Sequence, residues 1–379
     1  MDVAVLGATG DVGRQICTQL VERRVLPPTS RLQLVGRPGG RSATATYGLA
    51  ADLVDAYDEH APLLDVALDP SDVVADVVVV AAGRTAGTTP GAPVDRRALA
   101  QDNARVFATY ADALARHGSG REVVVVVSNP VELGVAVLGD ALGRHRVIGM
   151  GAWLDTLRFR REVAASIGVR RHRVGGFAVG QHGDDLVPLW STVRIAGLDA
   201  AERRAEVARV RGPRTLATYD DEIATAKHAL SSAAVQDLAA AFRLVDTWPP
   251  DVRLAARPWM TQQSGAKTAA GTASATIDLI ETVLDGRDTV VAGQVLLDGE
   301  VALAGEPVHG VLGVPVVLGP EGWTQVLLPA LADDEHERLA AVARRIAAGT
   351  APWTDVALDE VGRGGVGRAE AVEREEAVR

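Results

Sequence analysis

Three side chains suited to acid/base chemistry on an anionic substrate fall in one short stretch, Trp153–Asp185. Asp155 and Arg158 lie three apart in Leu154-Asp155-Thr156-Leu157-Arg158, and His182 follows in Gly180-Gln181-His182-Gly183-Asp184-Asp185. Apolar residues at Leu154, Leu157, Val163, Ala164 and Ile167 predict a helix over 154–167, which sets Asp155 and Arg158 on one face. An acid there could orient an imidazole from the later segment while the arginine faces a substrate anion. Gly175, Gly176, Gly180 and Gly183 allow the backbone beside that histidine to approach a ligand closely. A solvated helix pair and an unrelated loop histidine would show the same residues, so the elements around them have to decide.

Those elements begin at once. Val3-Ala4-Val5-Leu6 reads as a strand, Gly7-Ala8-Thr9-Gly10-Asp11-Val12-Gly13 as a glycine turn, and Ile16, Leu20 and Val21 as the buried face of a helix. Glycines after a strand and opening a helix are a dinucleotide fingerprint in a variant spacing, since they permit a tight turn and close approach of a pyrophosphate to a helix N-terminus. The next strand, Leu32–Val35, ends in Gly36-Arg37-Pro38-Gly39-Gly40-Arg41-Ser42 without the acid that usually takes ribose hydroxyls. Gly36 would open space there, and Arg37, Arg41 and Ser42 could hold a 2′-phosphate, which favours NADP(H) over NAD(H); plain loop arginines are the alternative. Val-rich runs at Val77–Ala82 and Val123–Val127, with helices near 97–117 and 131–142, predict a parallel sheet covered on both faces.

The expected fold is α/β: an N-terminal doubly wound parallel sheet (Rossmann) over 1–150 and a C-terminal α+β catalytic domain over 151–349. The second part is expected to hold strands at Val187–Ile195, Val290–Leu297 and Val314–Leu318, a buried helix Ala269–Leu284, a last strand at 323–328 and an amphipathic helix at 333–348. Residues 350–379, glycine-containing and charged without a core face, read as a mobile tail.

Composition narrows the function. The 379 residues are 47% hydrophobic and 23% charged, with a net charge of −10, which gives no footprint for nucleic acid or an anionic membrane surface. No apolar run is long enough to span a bilayer, and the opening strand does not look like a signal peptide. The single cysteine, Cys17, permits neither an internal disulfide nor a thiolate metal site. A cytoplasmic protein without a metal is the expectation. Only Lys227 and Lys267 supply lysine, so nearly all positive charge is arginine.

The order of motifs resembles the lactate/malate dehydrogenase family. The resemblance rests on Gly7 through Gly13, Ala81-Ala82-Gly83, Arg96 with Asn103 seven later, Val127-Ser128-Asn129-Pro130-Val131, Val147-Ile148-Gly149-Met150-Gly151, Leu154-Asp155 through Arg160, Gly180 through Asp184 with Val187-Pro188, and Leu297-Asp298-Gly299. It implies a dehydrogenase that moves a hydride between a nicotinamide cofactor and a small 2-hydroxy or 2-oxo acid, malate or oxaloacetate first, in a homodimer or homotetramer. By the same resemblance His182 is the general acid/base, Asp155 holds its tautomer, Arg158 takes the substrate carboxylate and Arg96, on a closing loop, polarises the carbonyl. Asn129 falls near the nicotinamide ribose and substrate, and Thr268 where a small hydroxyl residue lines the pocket. Gly83, Asn103 and Ser128 join the glycine turn around the cofactor.

The chain also departs from that pattern. The residue six before Arg96 often separates substrates in the family, and here it is Pro90 in an enlarged run, Gly83–Arg96. Arg84 could supply the second carboxylate contact in its place. The segment between Trp190 and Gly265 is enlarged too, with an insertion around 212–260 that contains Thr247-Trp248-Pro249-Pro250 and Pro258-Trp259, read as exposed. Lys267 replaces a small residue beside Thr268 and could meet a second anionic group or point to solvent. Two alternatives stay open: the same chemistry on a larger or atypical 2-oxo acid, and a catalytically silent nicotinamide-binding sensor. A short-chain reductase would need a Tyr with Lys four later, which Tyr47, Tyr57, Tyr110 and Tyr219 lack.

Overall fold

The computed structural model describes residues 1–85, 96–183 and 185–376, with the side chains of 96–97 and 355–376 left aside. The first half alternates strand and helix: β1 (Val3–Leu6), α1 (Asp11–Glu22), β2 (Arg31–Val35), α2 (Gly40–Tyr57), β3 (Leu63–Ala67), β4 (Val77–Val80), α3 (Arg96–His117), β5 (Val123–Val126), α4 (Val131–Leu142) and β6 (Val147–Gly149). The second half holds α5 (Gly151–Ile167), β7 (Val174–Gly180), β8 (Leu186–Ile195), α6 (Ala200–Arg211), α7 (Tyr219–Gln236), α8 (Leu238–Val245), α9 (Pro250–Gln263) and α10 (Ala269–Leu284). It closes with β9 (Thr289–Leu303), β10 (Glu306–Gly319), β11 (Gly322–Val326) and α11 (Asp333–Glu376).

Strands β1 to β6 pair in parallel in the order β3-β2-β1-β4-β5-β6. The strand order reverses between β1 and β4, and the carboxyl ends there form the crevice in which doubly wound sheets bind ligands. Sequence explains why the sheet is central. Alternate residues of each strand enter opposite cores: Val3, Val5, Val77, Val79, Val123 and Val125 face one, and Ala4, Leu6, Val78, Val80, Val124 and Val126 the other. Strands covered by helices on both faces need apolar residues at every position, which is why they are unbroken valine runs.

The second half extends the same sheet. β6 meets β9 antiparallel at Gly149 and Gln294, and β10, β7 and β8 follow, with β11 on β10. The long hairpin of β9 and β10 therefore carries the second half onto the edge of the first.

In the segment from 350 onward, α11 continues to Glu376, and Trp353 lies half-buried against the apolar cluster under α3 and α4. That one aromatic supplies the core face that the charged sequence around it hides. One expectation needs correction. The insertion aromatics are not exposed: Trp248 and Trp259 are partly buried against the main core, Pro250 starts α9, and Pro258 lies within it. An apolar ring beside a proline is as well suited to a packed helix start as to a loop.

Candidate active site

The site is assembled where α5 passes the end of β7. The Thr156 hydroxyl donates to the Ala178 carbonyl at 3.1 Å and accepts from the Ala178 N–H at 3.0 Å, both fully buried. This double contact fixes the helix against the strand, and Asp155, one residue earlier, then faces the turn after β7. The Asp155 carboxylate is spent on both sides. Oδ2 meets His182 Nδ1 at 2.8 Å and accepts from the Gly183 N–H at 3.3 Å, while Oδ1 takes Arg158 at 3.2 Å. The expected helical face is therefore real, and the three residues are brought together.

Their protonation follows from this packing. Burial alone would raise the Asp155 carboxyl, but the His182 imidazolium, Arg158 and the Gly183 N–H hold it below its ordinary range. Burial would likewise lower His182; Asp155 overrides it and raises the imidazole above its ordinary value, with Arg158 opposing. Arg158, buried as well, is lowered despite Asp155. Because Nδ1 is held by the carboxylate, Nε2 is the nitrogen left to exchange a proton with a substrate. An imidazole poised to carry charge, beside a guanidinium with N–H groups still to offer, is equipped for proton transfer to an oxygen on a carboxylate-bearing molecule.

Two residues essential to this geometry escape a sequence reading. Gly151, the first residue of α5, lies against the imidazole so closely that a Cβ there would fall 2.5 Å from His182 Cγ. Glu132, in the first turn of α4 and only 2% exposed, accepts the His182 backbone N–H at 2.8 Å. Gly151 closes a motif quoted above, Val147 through Gly151, so its importance was partly visible. Glu132 had no signal beyond being an acid in a run of apolar residues.

The nucleotide crevice gathers the other expected residues. Gly7 (φ 77°) abuts the end of β4, where a Cβ would fall 2.7 Å from Ala82 Cα, and a Cβ on Gly13 would fall 2.2 Å from the Gly7 carbonyl oxygen. These glycines are dictated by backbone contact, with Gly10 exposed at the tip. No side chain caps the first turn of α1, which runs Asp11, Val12, Gly13, so its amides are available to an anion. A dinucleotide pyrophosphate fits this cradle.

Asn103, fully buried, proves to be a clamp: its Nδ2 donates to the carbonyls of Arg84 (2.9 Å) and Asn129 (2.6 Å), and its Oδ1 accepts the Arg84 N–H at 2.7 Å. Gly83 is needed because a Cβ would meet Asn103 Oδ1 at 2.8 Å. Ser128 donates to the Ala82 carbonyl at 2.7 Å, and the exposed Asn129 precedes a cis proline. Asn103 and Ser128 thus shape the crevice through the backbone.

Several assignments change. Gly36 makes room for α2 and not for a ligand, since the Thr46 hydroxyl occupies the place of its Cβ. Ser42 holds the turn by accepting the Arg37 N–H at 3.0 Å, leaving Arg37 and Arg41 as the exposed cations there. Arg84 pairs with Asp102 at 2.5 Å and is 75% exposed, so it is directed along α3. Lys267 pairs with Asp11 across the mouth of the crevice. Thr268 precedes α10, its hydroxyl 3.5 Å from that of Thr272. The Arg96 side chain and Pro90 lie outside the described residues. Among the described residues no group of acids, histidines or cysteines could hold a metal, and no helix is long and apolar enough to cross a membrane.

Helix α9 bears directly on α5, the helix that carries Asp155 and Arg158. Glu162 of α5, 2% exposed, is ringed by Arg161 at 2.5 Å, Arg253 at 2.7 Å and Arg257 at 2.9 Å, the last two from α9. Arg253 also donates to Ser166 Oγ at 2.7 Å.

A parallel dinucleotide-binding sheet joined to a histidine held by a buried aspartate defines a nicotinamide-dependent dehydrogenase as the class. Comparison with known proteins narrows it. Residues 1–149 match the lactate/malate dehydrogenase NAD binding domain, and residues 247–351 match the lactate/malate dehydrogenase alpha/beta C-terminal domain. A malate dehydrogenase of Halobacterium salinarum is 29% identical over 354 residues, covering 91% of this chain and 97% of that protein. An L-lactate dehydrogenase of Latilactobacillus sakei is 27% identical over 305 residues, 79% of this chain and 81% of its own. The crystal structure of Cryptosporidium parvum malate dehydrogenase superposes with a TM-score of 0.70 at 19% identity, covering 93% and 99% of the two chains. The chain belongs to the lactate/malate dehydrogenase family. Asp155, Arg158 and His182 lie between the two matched spans, so their grouping rests on the geometry above.

Proposed function

We propose that the chain interconverts a small 2-hydroxy acid and its 2-oxo acid, with malate and oxaloacetate as the substrate pair and NADP(H) as the preferred cofactor. The observation that carries this is the contact set of Asp155, which holds His182 on one oxygen and Arg158 on the other. Arg158 binds the substrate carboxylate. His182 Nε2 donates its proton to the 2-oxo oxygen in reduction and takes the hydroxyl proton in oxidation. Asp155 stabilises the imidazolium and fixes its tautomer. Nicotinamide, when bound, supplies or accepts the hydride at the substrate C2. Gly7, Gly10 and Gly13 with the amides of Asp11 and Val12 receive the pyrophosphate, and the role of Arg96 in polarising the carbonyl rests on the family resemblance. Asn129 sits at the carboxyl end of β5, where ribose and substrate meet. The reading of Thr268 as a pocket residue rests on the family resemblance alone.

The preference for NADP(H) rests on Arg37 and Arg41, two exposed guanidiniums at the end of β2 in a turn with no acid. A homo-oligomer is supported by the outer face of α2, where Tyr47 is 59% and Val54 43% exposed. We place the enzyme in the cytoplasm, in keeping with a nicotinamide-dependent reaction and a single buried thiol.

The test is a matrix of oxaloacetate, pyruvate, and branched and aromatic 2-oxo acids against NADPH and NADH. Oxaloacetate with NADPH is expected to give the highest kcat/KM, at least about tenfold above NADH. Arg37→Ser with Arg41→Ser is expected to remove that difference. Higher activity with another acid, or with NADH, would replace the corresponding half of the reading.

A further inference from the structure

The Glu132 carboxylate is buried on α4, and its Oε1 takes the N–H of His182 itself at 2.8 Å. Ser128-Asn129-Pro130, at the cofactor end of β5, leads straight into the turn that carries it. A single side chain thereby connects the crevice wall to the histidine loop. The charges around His182 are then Asp155 and Arg158 from α5, with Arg161 behind Arg158, and Glu132 from α4; Asp185, beyond the histidine, is paired with Arg345 of α11 at 2.8 Å.

From this we infer that Glu132 is a positioning residue for the proton transfer: its carboxylate fixes the backbone of His182 and adds a second negative charge to the imidazolium that Asp155 already stabilises. The inference rests on the hydride-transfer reading above. Two physical features support it. A backbone N–H is too weak a reason to bury an acid, because a neutral acceptor would satisfy it without the desolvation cost. Burial holds the Glu132 carboxyl above its ordinary range and Asp155 adds to that, while the His182 N–H and the imidazolium oppose the rise. The charge is therefore best tolerated when the imidazole is protonated, the state in which a 2-oxo acid is reduced.

The experiment is the pH dependence of 2-oxo acid reduction by the full-length protein, wild type against Glu132→Gln and Glu132→Asp. Reduction needs protonated His182, so the rate is lost as pH rises through the histidine's pKa. Gln keeps an acceptor for the N–H and removes the charge; its falling limb is expected about half a pH unit or more to the acid side of wild type. Asp keeps the charge and withdraws it by one methylene, so its limb stays at the wild-type pH while kcat drops by about tenfold. A limb that does not move in Glu132→Gln, with the rate scaled equally at every pH, means a structural role only and overturns the inference. Should Glu132→Gln not fold, Glu132→Asp decides, and a wild-type kcat there overturns it. Wild-type protein with no reductase activity would instead sink the underlying reading.

Discussion

At the scale of single residues the site is a balance of charges around one imidazole. Asp155 raises His182, and Arg158 opposes it from the other carboxylate oxygen. Removing the acid shows the sign of the balance. In Asp155→Asn the imidazolium loses its strongest partner, so the pKa of His182 falls and reduction is lost at lower pH, while oxidation, which needs the neutral ring, extends to lower pH. A drop in kcat of about 100-fold or more is expected as well, because a neutral amide no longer stabilises the charged ring. Rate profiles in both directions check the two statements together. Helical spacing and the surrounding glycines made Asp155, Arg158 and His182 candidates in the sequence, and the order of motifs resembling the family singled them out. Gly151 was visible only as the end of a motif and Glu132 not at all, since each acts through a contact with a residue far along the chain that no local spacing encodes.

At the scale of elements the catalytic helix is held from both sides. Thr156 ties α5 to β7, and Glu162, one face away, ties it to α9 through Arg253 and Arg257. The inserted region is therefore a brace on the helix that carries Asp155 and Arg158. Glu162→Gln leaves the largely buried Arg253 guanidinium without its counter-charge, whereas Arg257 keeps Asp246, and the unfolding free energy is expected to fall by about 3 kcal/mol, measured by denaturant titration. Equal midpoints for variant and wild type would show that the brace contributes nothing.

Element boundaries were most legible where one apolar face is continuous: α4 and α10 span the expected 131–142 and Ala269–Leu284. α2 and β3 gave little signal because they lie at the sheet's edge. Helix α2 buries only Thr46, Leu49 and Leu53, and β3 buries Ala67 alone. The brace was invisible because its partners are arginines and a glutamate on distant helices, a pattern that in sequence is indistinguishable from a solvated surface.

At the scale of the whole molecule one sheet serves both tasks. β1 to β6 offer the crevice, and the junction of β6 with β9 places α5 and its acid beside the turn that carries His182. The valine runs announced the parallel half, whereas the closing hairpin and the packing of α11 through Trp353 depend on pairings across the fold. The architecture is that of its family, and α9 packs on α5 with the charged trio in place.

The central claim is that this trio serves hydride transfer to a 2-oxo acid. The most direct measurement supplies oxaloacetate and reduced nicotinamide dinucleotide deuterated at C4 to the wild-type protein and to His182→Asn, with mass spectrometry of the products. The wild type is expected to yield the 2-hydroxy acid carrying deuterium at C2, and the variant to lose at least about 1,000-fold in rate. A wild-type protein that binds the dinucleotide yet transfers no label to any 2-oxo acid would contradict the account.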